Sequence, residues 1–556
     1  LYTVRSARNW GVGDLGDLRA LVEFAAGAGM AFVGVNPLHA LRNADGDISP
    51  YSPISRLYRN ALYLDVEALL GVIDAPDARA RADGARAHIA ALRAASHVDY
   101  AAVMACKRPV LEALHRAFAG GAGGAGRHDA YRDWCVAQGE PLERFATFVA
   151  LDEHFRPQGC GWWPEWPAAV RTPDGAGIGA FREAHAERID FHRWCQFELD
   201  AQLGRVAALA GARGLPIGLY EDLAIGAAPA SSDVWSAPDV YLRDVSIGAP
   251  PDPLGPEGQN WGLPPMNPHR LRERGYDLWV ALVRNALRHA GALRIDHVLG
   301  LFRQFWIPAG MRGREGAYVR FPADDLLGIL ALEATRAGAL VVGEDLGTVP
   351  VEVPPAMQRW GVLSSKVLVF ERELDGAFRD VGAYPTDSLA TANTHDLAPF
   401  AGWWRGRDVE IRREVGLIPD DASADRARAE RARERTLLVQ RLVAAGVLDA
   451  TALDADPASL DEAQVRAAVH VFLRRTPAAL VGLSLDDLVG ETVPVNVPGV
   501  GPDRFPTWTR RLSTPVEALG DDPGVRHALG IERAWWPADT ARLHARRGPG
   551  GEGQAG

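Results

Sequence analysis

The feature that most constrains this chain is a series of short apolar, β-rich runs that end in polar residues and are separated by stretches of helical composition. The candidate strands are Tyr2–Arg5, Ala31–Asn36, Leu215–Tyr220, Ala292–Asp296, Leu340–Glu344, Lys366–Phe370, Ala390–Asn393 and Ala479–Leu483. Apolar strands alternating with helices imply a parallel sheet covered on both faces, and eight of them is the number that closes a barrel. The expected fold is therefore α/β, a (β/α)8 TIM barrel. Three gaps are too long for a simple β/α step, so insertions are expected at roughly 65–205, 225–285 and 403–478. Barrel and insertions together are expected to occupy residues 1–540, followed by a flexible tail at 541–556.

The first insertion reads as mixed, with a helical face in Arg188–Ala210 formed by Phe191, Trp194, Cys195, Phe197, Leu199, Leu203 and Val206. The third contains Arg405–Ala444, dense in Arg, Glu and Ala, which reads as paired helices facing solvent. The Gly/Ala run Ala119–Gly126 and the tail Gly548–Gly556 read as flexible. Net charge is −11, which repels nucleic acid and anionic membrane and favours a small neutral or cationic substrate. No apolar run approaches the ~20 residues that cross a bilayer. The four cysteines (106, 135, 160 and 195) form no C-x-x-C pair or zinc spacing, so reduced, mostly buried thiols in a cytoplasmic protein are expected. The chain opens at Leu1-Tyr2 without methionine and with no signal peptide, which reads as a truncated amino terminus.

Gly11-Val12-Gly13-Asp14-Leu15-Gly16 fits G-x-G-x-x-G, but the acidic residue a dinucleotide fold needs after the next strand is replaced by Asn36-Pro37. No cofactor is expected. Arg294-Ile295-Asp296-His297 is more informative. Strand alternation points Arg294 and Asp296 the same way, and a guanidinium favours the ionised carboxylate, which suits a nucleophile; a structural ion pair at a strand end reads equally from the tetrapeptide alone. In Gly343-Glu344-Asp345-Leu346-Gly347 only one of the two acids can face the barrel axis. A carboxyl half-enclosed by apolar walls would be held protonated and could donate, while Asp345 could cap a helix. Thr394-His395-Asp396-Leu397 supplies a third acid at a third strand end, although a His-Asp pair is commonly structural.

Three acids at three strand ends suggest glycoside chemistry, which in its retaining form needs two carboxyl groups about 5–5.5 Å apart. Trp10, Trp235, Trp261, Trp306, Trp403 and Trp404 lie in the expected loops, where aromatic rings could stack on sugar C–H faces, although most tryptophans in any protein are core or packing residues. A metal-dependent hydrolase using His39, Asp296, His297, Glu344, His395 and Asp396 is the rival reading. It lacks tight ligand spacing and would set Arg294 beside the ion, so no metal is expected.

Seen in order along the chain, these segments resemble the 4-α-glucanotransferases (amylomaltases, or disproportionating enzymes) of the α-amylase clan. The similarity runs from residue 1 to about 515. It includes Ser6–Asp14, Asn36–Leu41, Ser49–Pro53, Gly218–Ala224, Gly248–Asp252, Gly258–Gly262, Arg294–His297, Gly343–Pro350, Thr394–Leu397 and Val495–Gly499. The resemblance implies Asp296 as nucleophile, Glu344 as acid/base and Asp396 as transition-state stabiliser, with Arg294, His297 and His395 around the sugar at the cleavage point. It also implies that Tyr51, Asp252, Gln259 and Trp261 line a glucan groove covered by the 248–262 loop. Ala230 stands where some relatives carry an acid ahead of Asp233-Val234-Trp235. The implied activity is retaining transfer of an α-1,4-glucan segment to the 4-hydroxyl of another glucan, with maltooligosaccharides as partners. A hydrolase of the same clan and a non-catalytic glucan-binding protein are the alternatives.

Overall fold

The computed structural model describes residues 1–44, 46–251 and 257–530. Its centre is a parallel sheet of seven strands whose order in space follows the chain: β1 (Phe32–Gly34), β2 (Gly218–Leu223), β3 (Ala292–Ile295), β4 (Leu340–Gly343), β5 (Val362–Val367), β6 (Ser388–Thr391) and β7 (Leu480–Gly482). Every adjacent pair is parallel and in unbroken register. The sheet curls on itself. Phe32, Ile217 and Tyr220 from one end share an apolar cluster with Val342 from the middle and Leu389 and Leu480 from the other end. That shared interior is the packing of a TIM-type barrel.

The expected eighth strand, Tyr2–Arg5, is irregular. Leu1, Tyr2 and Val4 are buried as the apolar run suggested, but the backbone meets the carboxyl-terminal segment instead of a sheet edge. Thr3 O accepts from Leu512 N at 2.8 Å, and Arg5 O from Val516 N at 2.8 Å. Burial and strand pairing leave the same apolar signature, so the sequence did not separate them. The strand expected at Lys366–Phe370 lies earlier, at Val362–Val367, and residues 368–370 form a short 3-10 turn.

The first insertion is helical throughout its described elements, not mixed. Its last helix, Ala186–Ala212, buries all seven apolar residues of the expected face, and also Gln196, Glu198 and Gln202. The Ala119–Gly126 run turns one helix (Tyr100–Ala119) into the next (Ala125–Gln138), with Gly121, Gly123 and Gly124 at φ of 102°, 98° and 83°. The second insertion has a wider boundary than expected. Val245–Ala249 and Gln259–Leu263 join Arg303–Pro308 and Ala317–Arg320 in a four-stranded antiparallel sheet. The third is helical, and Asp421–Ala444 buries Leu438, Val439 and Leu442 while leaving most of its charged residues in solvent. Residues 541–556, expected as a tail, lie outside the described residues. No helix among the described residues is long and apolar enough to cross a membrane. All four cysteines are free, but only Cys195 is buried; the other three are half-buried.

Candidate active site

Asp296, Glu344 and Asp396 all sit at the carboxyl ends of the curled sheet. In β3, Leu293 and Ile295 pack outward into the core beneath the surrounding helices. Arg294 and Asp296 turn inward, as alternation requires. Arg294 lies beside Asp222 of β2 in register. Its Nη1 donates to both Asp222 oxygens at 2.8 Å and lies 3.1 Å from Asp296 Oδ1, while Nη2 is 3.9 Å from Glu344 Oε2. The guanidinium expected beside Asp296 is thus present, but it serves three carboxylates. Asp222 was legible only as part of the Gly218–Ala224 motif, because nothing local marks a strand acid as the partner of an arginine 72 residues away.

Asp296 is 6% exposed and accepts from Ile225 N at 3.2 Å through its second oxygen. Burial pushes its pKa up, but His297, Arg294 and His395 outweigh burial and hold it below the usual carboxylate value. It is therefore ionised at neutral pH. His297 follows in a left-handed conformation, φ 45°, unusual for a side-chain-bearing residue. This turn sends its N–H to Glu344 Oε2 at 2.9 Å, with the ring Nδ1 3.2 Å from the same oxygen. Burial lowers the His297 pKa, but the Asp296 and Glu344 carboxylates more than reverse this and raise it.

Glu344 follows β4 directly, and its Oε1 accepts from Leu346 N at 3.1 Å. Its surroundings are polar, not the apolar walls expected. Gly343 permits this approach, since a Cβ there would lie 2.8 Å from Met357 Cε and 2.9 Å from Val298. Of the two adjacent acids, Glu344 is the one in the site. Asp345 turns to β5, accepting from Ser365 N at 2.8 Å and Lys366 Nζ at 3.3 Å. It caps no helix, because the next helix begins at Val353.

Asp396 stands beyond β6, its side chain 47% exposed, with Oδ2 3.4 Å from His395 Nε2. Asn496 Nδ2 donates to its Oδ1 at 2.7 Å, and Asn496 is itself held by Thr507. His395 stacks on Tyr51 at 4.7 Å and 15°. The Tyr51 hydroxyl donates to Asp222 at 2.7 Å, so this residue braces the site from below. Trp508 closes the group, 5.7 Å from both Tyr51 and His395 and itself at φ 61°. Trp508 escaped sequence reasoning because it lies more than a hundred residues beyond the last candidate strand end that carries an acid.

The tryptophans divide sharply. Trp10, Trp235, Trp403 and Trp404 are buried core residues, and Trp306 packs half-buried against the core, contrary to the expectation of loop aromatics. Only Trp261 of that set faces the acids, stacked on His297 at 4.5 Å and 19°. Gln259 shares its strand face and accepts from Trp261 Nε1 at 3.1 Å. Within the expected covering loop 248–262, residues 248–249 and 259–262 belong to two paired strands, and residues 252–256 lie outside the described residues. Asp252, expected in the groove, lies outside the described residues.

Asp296, His297 and Glu344 bring one ligand atom each within 4.8 Å of one another, an arrangement that could accept a cation. Arg294 already supplies positive charge to both carboxylates there. His39 is directed elsewhere, its Nε2 accepting from Ala224 N at 3.3 Å. The glycine-rich segment offers no phosphate cradle: a Cβ on Gly13 would strike Leu1 O, and one on Gly16 would strike Arg8.

Comparison with known proteins bears on this geometry directly. A family model described as 4-alpha-glucanotransferase matches residues 1–517. The 4-alpha-glucanotransferase of Mycobacterium tuberculosis is 39% identical over 535 residues, covering 93% of this chain and 70% of that protein. That of Haemophilus influenzae is 35% identical over 542 residues, 95% of this chain and 76% of the other. The crystal structure of amylomaltase from Corynebacterium glutamicum superposes with a TM-score of 0.83 at 31% identity, covering 96% of this chain and 74% of that one. A curled parallel sheet with its acids gathered at the strand ends, and likeness along nearly the whole length, give one conclusion: the chain belongs to the 4-alpha-glucanotransferase family.

Proposed function

We propose that this chain transfers α-1,4-glucan segments by retaining double displacement, with Asp296 as nucleophile, Glu344 as acid/base and Asp396 as transition-state stabiliser. One observation carries the reading: carboxylate oxygens of Asp296 and Glu344 lie within 4.8 Å of each other. Retaining enzymes hold their two carboxyl groups about 5–5.5 Å apart, whereas inverting ones leave about 6.5–9.5 Å for a water. In the first step Glu344 gives its proton to the glycosidic oxygen as Asp296 attacks the anomeric carbon. The bond to the leaving glucan breaks and a β-linked glucosyl ester forms. In the second step Glu344 takes the proton of an incoming 4-hydroxyl, whose oxygen displaces Asp296 and restores the α configuration. Asp396 and His395 meet the ring as positive charge develops, which is where binding accelerates reaction.

Transfer prevails over hydrolysis when sugar excludes water from the ester. Trp261, stacked over His297 beside the Asp296–Glu344 pair, is the residue assigned to that exclusion. Maltooligosaccharides are the substrates in this reading, and the free thiols support a cytoplasmic setting. Incubation with maltotriose alone tests the whole scheme. The expected result is glucose plus a ladder of longer oligomers at constant total reducing ends. Rising reducing ends without a ladder would instead mean a hydrolase, and no change would mean a binding protein. Asp296→Asn should abolish turnover while retaining glucan binding; undiminished turnover would sink the assignment.

A further inference from the structure

The loop that presents His395 and Asp396 is tied at both stems to one buried side chain that belongs to neither β6 nor the reacting groups. Asn393, where the loop leaves β6, donates through Nδ2 to both oxygens of Asp487 at 2.9 and 3.0 Å. Phe400, where the loop enters the helix Phe400–Arg405, donates its N–H to Asp487 Oδ1 at 2.6 Å. Between those stems the loop's own bonds are Leu397 N to Thr394 O at 3.1 Å, Asp396 N to Thr394 Oγ1 at 3.3 Å and a long one from Asn393 Nδ2 to Ala398 O at 3.5 Å, with Asn496 holding Asp396 from outside.

Asp487 is 1% exposed and lies just past β7, in the first turn of the helix Leu485–Val489. The cations nearby are engaged elsewhere. Arg510 pairs with Asp486 and Glu491, and Arg466 pairs with Glu462 and bonds the Asp487 backbone carbonyl. No cation bonds the Asp487 carboxylate among the described residues. A buried carboxylate met only by neutral N–H donors costs stability, and burial accordingly pushes this one up to about 7. A fold that needed only a hydrogen-bonded corner here could use a neutral amide. Oδ1 already accepts from both stems; what the carboxylate adds is a second oxygen that also accepts from Asn393, where an amide would turn its own N–H2 group toward the Asn393 donor. Departures from local economy of this kind concentrate where function requires them.

We propose that Asp487 is a positioning residue for the transfer reaction: it closes the 393–400 loop and so sets His395 and Asp396 against the sugar at the cleavage point. This rests on the reading of Asp396 as the group that stabilises the transition state. Misplacing such a group by about 1 Å is enough to cost roughly 100-fold in rate. Because the substrate's other contacts are untouched, the loss falls on kcat and leaves KM for maltotriose nearly unchanged.

The test measures kcat and KM for maltotriose disproportionation in Asp487→Asn, Asn393→Asp and the double variant. In Asp487→Asn two amides face each other, and kcat should fall at least about tenfold with KM little changed. In the double variant the pair is reversed. Asn at 487 donates to Asp at 393 and still accepts from Phe400 N–H, so kcat should recover to within a fewfold of wild type. Wild-type kcat in Asp487→Asn would overturn the proposal. So would a folded double variant, judged by its melting transition, with kcat no better than the single ones. If Asp487→Asn does not fold, Asn393→Asp, which sets two carboxylates together, carries the same expectation of lost kcat and rescue by the second change. Asp396→Asn, assayed alongside, separates the two levels of inference. Inactive Asp396→Asn with fully active Asp487→Asn refutes the clamp alone, whereas active Asp396→Asn refutes the reading of Asp396 itself.

Discussion

Replacing Arg294 with glutamine would strip the one guanidinium that lies 2.8 Å from Asp222, 3.1 Å from Asp296 and 3.9 Å from Glu344. Asp296 is held below the usual carboxylate value against burial, which raises it, by His297, Arg294 and His395 in that order. An adjacent arginine lowers an aspartate by about 1–3 units, so its removal should raise Asp296 by a similar amount, each unit corresponding to about 1.4 kcal/mol. A raised pKa keeps the nucleophile protonated to higher pH. The acid limb of kcat/KM, which reports the free enzyme, should therefore move up by about 1–3 units. Activity lost at low pH should return as pH rises, so variant and wild type converge on the alkaline side. Arg294→Lys retains a point charge that cannot reach all three carboxylates, and its limb should fall between the two. The assay is the rate of glucose release from maltotriose across pH, with melting recorded for each variant. Leaving Asp222 buried without its partner is expected to cost about 3–5 kcal/mol. A loss of rate by the same factor at every pH, with the limb unmoved, would refute the electrostatic argument and leave Arg294 a purely steric part.

Removing the Trp261 ring (Trp261→Ala) should raise the share of reducing ends formed per transfer event severalfold, because water then reaches the ester; an unchanged product balance would count against its covering role. Asn496→Ala deletes the 2.7 Å bond to Asp396. Hydrogen bonds to charged groups contribute about 1.5–3 kcal/mol, so kcat should drop roughly 10- to 100-fold without a comparable change in melting. Trp235→Ala should instead destabilise the fold by about 3–5 kcal/mol, as expected of a fully buried aromatic, seen as a lower midpoint in urea. Prolonged EDTA treatment should leave turnover intact, since Arg294 already supplies the positive charge at the Asp296–Glu344 pair; restoration of lost activity by added cation would contradict this.

Much of this architecture could be read from period and punctuation. Seven of the eight apolar runs found a strand because a strand buried on both faces has a continuous apolar signature. Tyr2–Arg5 had the same signature for a different reason, being buried under helices with its carbonyls bonded to residues 512 and 516. The antiparallel sheet at 245–320 was split by the expected boundary because its second half, Arg303–Pro308 and Ala317–Arg320, follows β3 in sequence and pairs back across it. The tryptophans misled in a similar way. A ring between candidate strands looks like a loop residue, but Trp235, Trp403 and Trp404 lie in short helices and, like Trp10, are buried in the core.

The candidate site shows where such reading stops. Asp296, Glu344 and Asp396 were accessible because each stands at or just beyond the end of its own strand, with Arg294 two residues ahead of Asp296, where the fold alone brings residues together. The groups that orient them are not at those ends. Asp222 needed the β2–β3 register, Asn496 and Trp508 needed the return of the carboxyl-terminal segment, and Asp487 needed β7 to lie beside β6. A barrel fixes which strand ends are neighbours, so acids can be found one strand at a time. The second layer is chosen by which segments come back across the barrel mouth, and that information lies in pairs of positions far apart in the chain. Under the proposed mechanism the same division assigns the chemistry: strand-end residues would touch the sugar, while returning segments set how closely those residues are held. Substitutions in the second layer should therefore scale kcat while leaving the reaction itself and its stereochemistry unchanged.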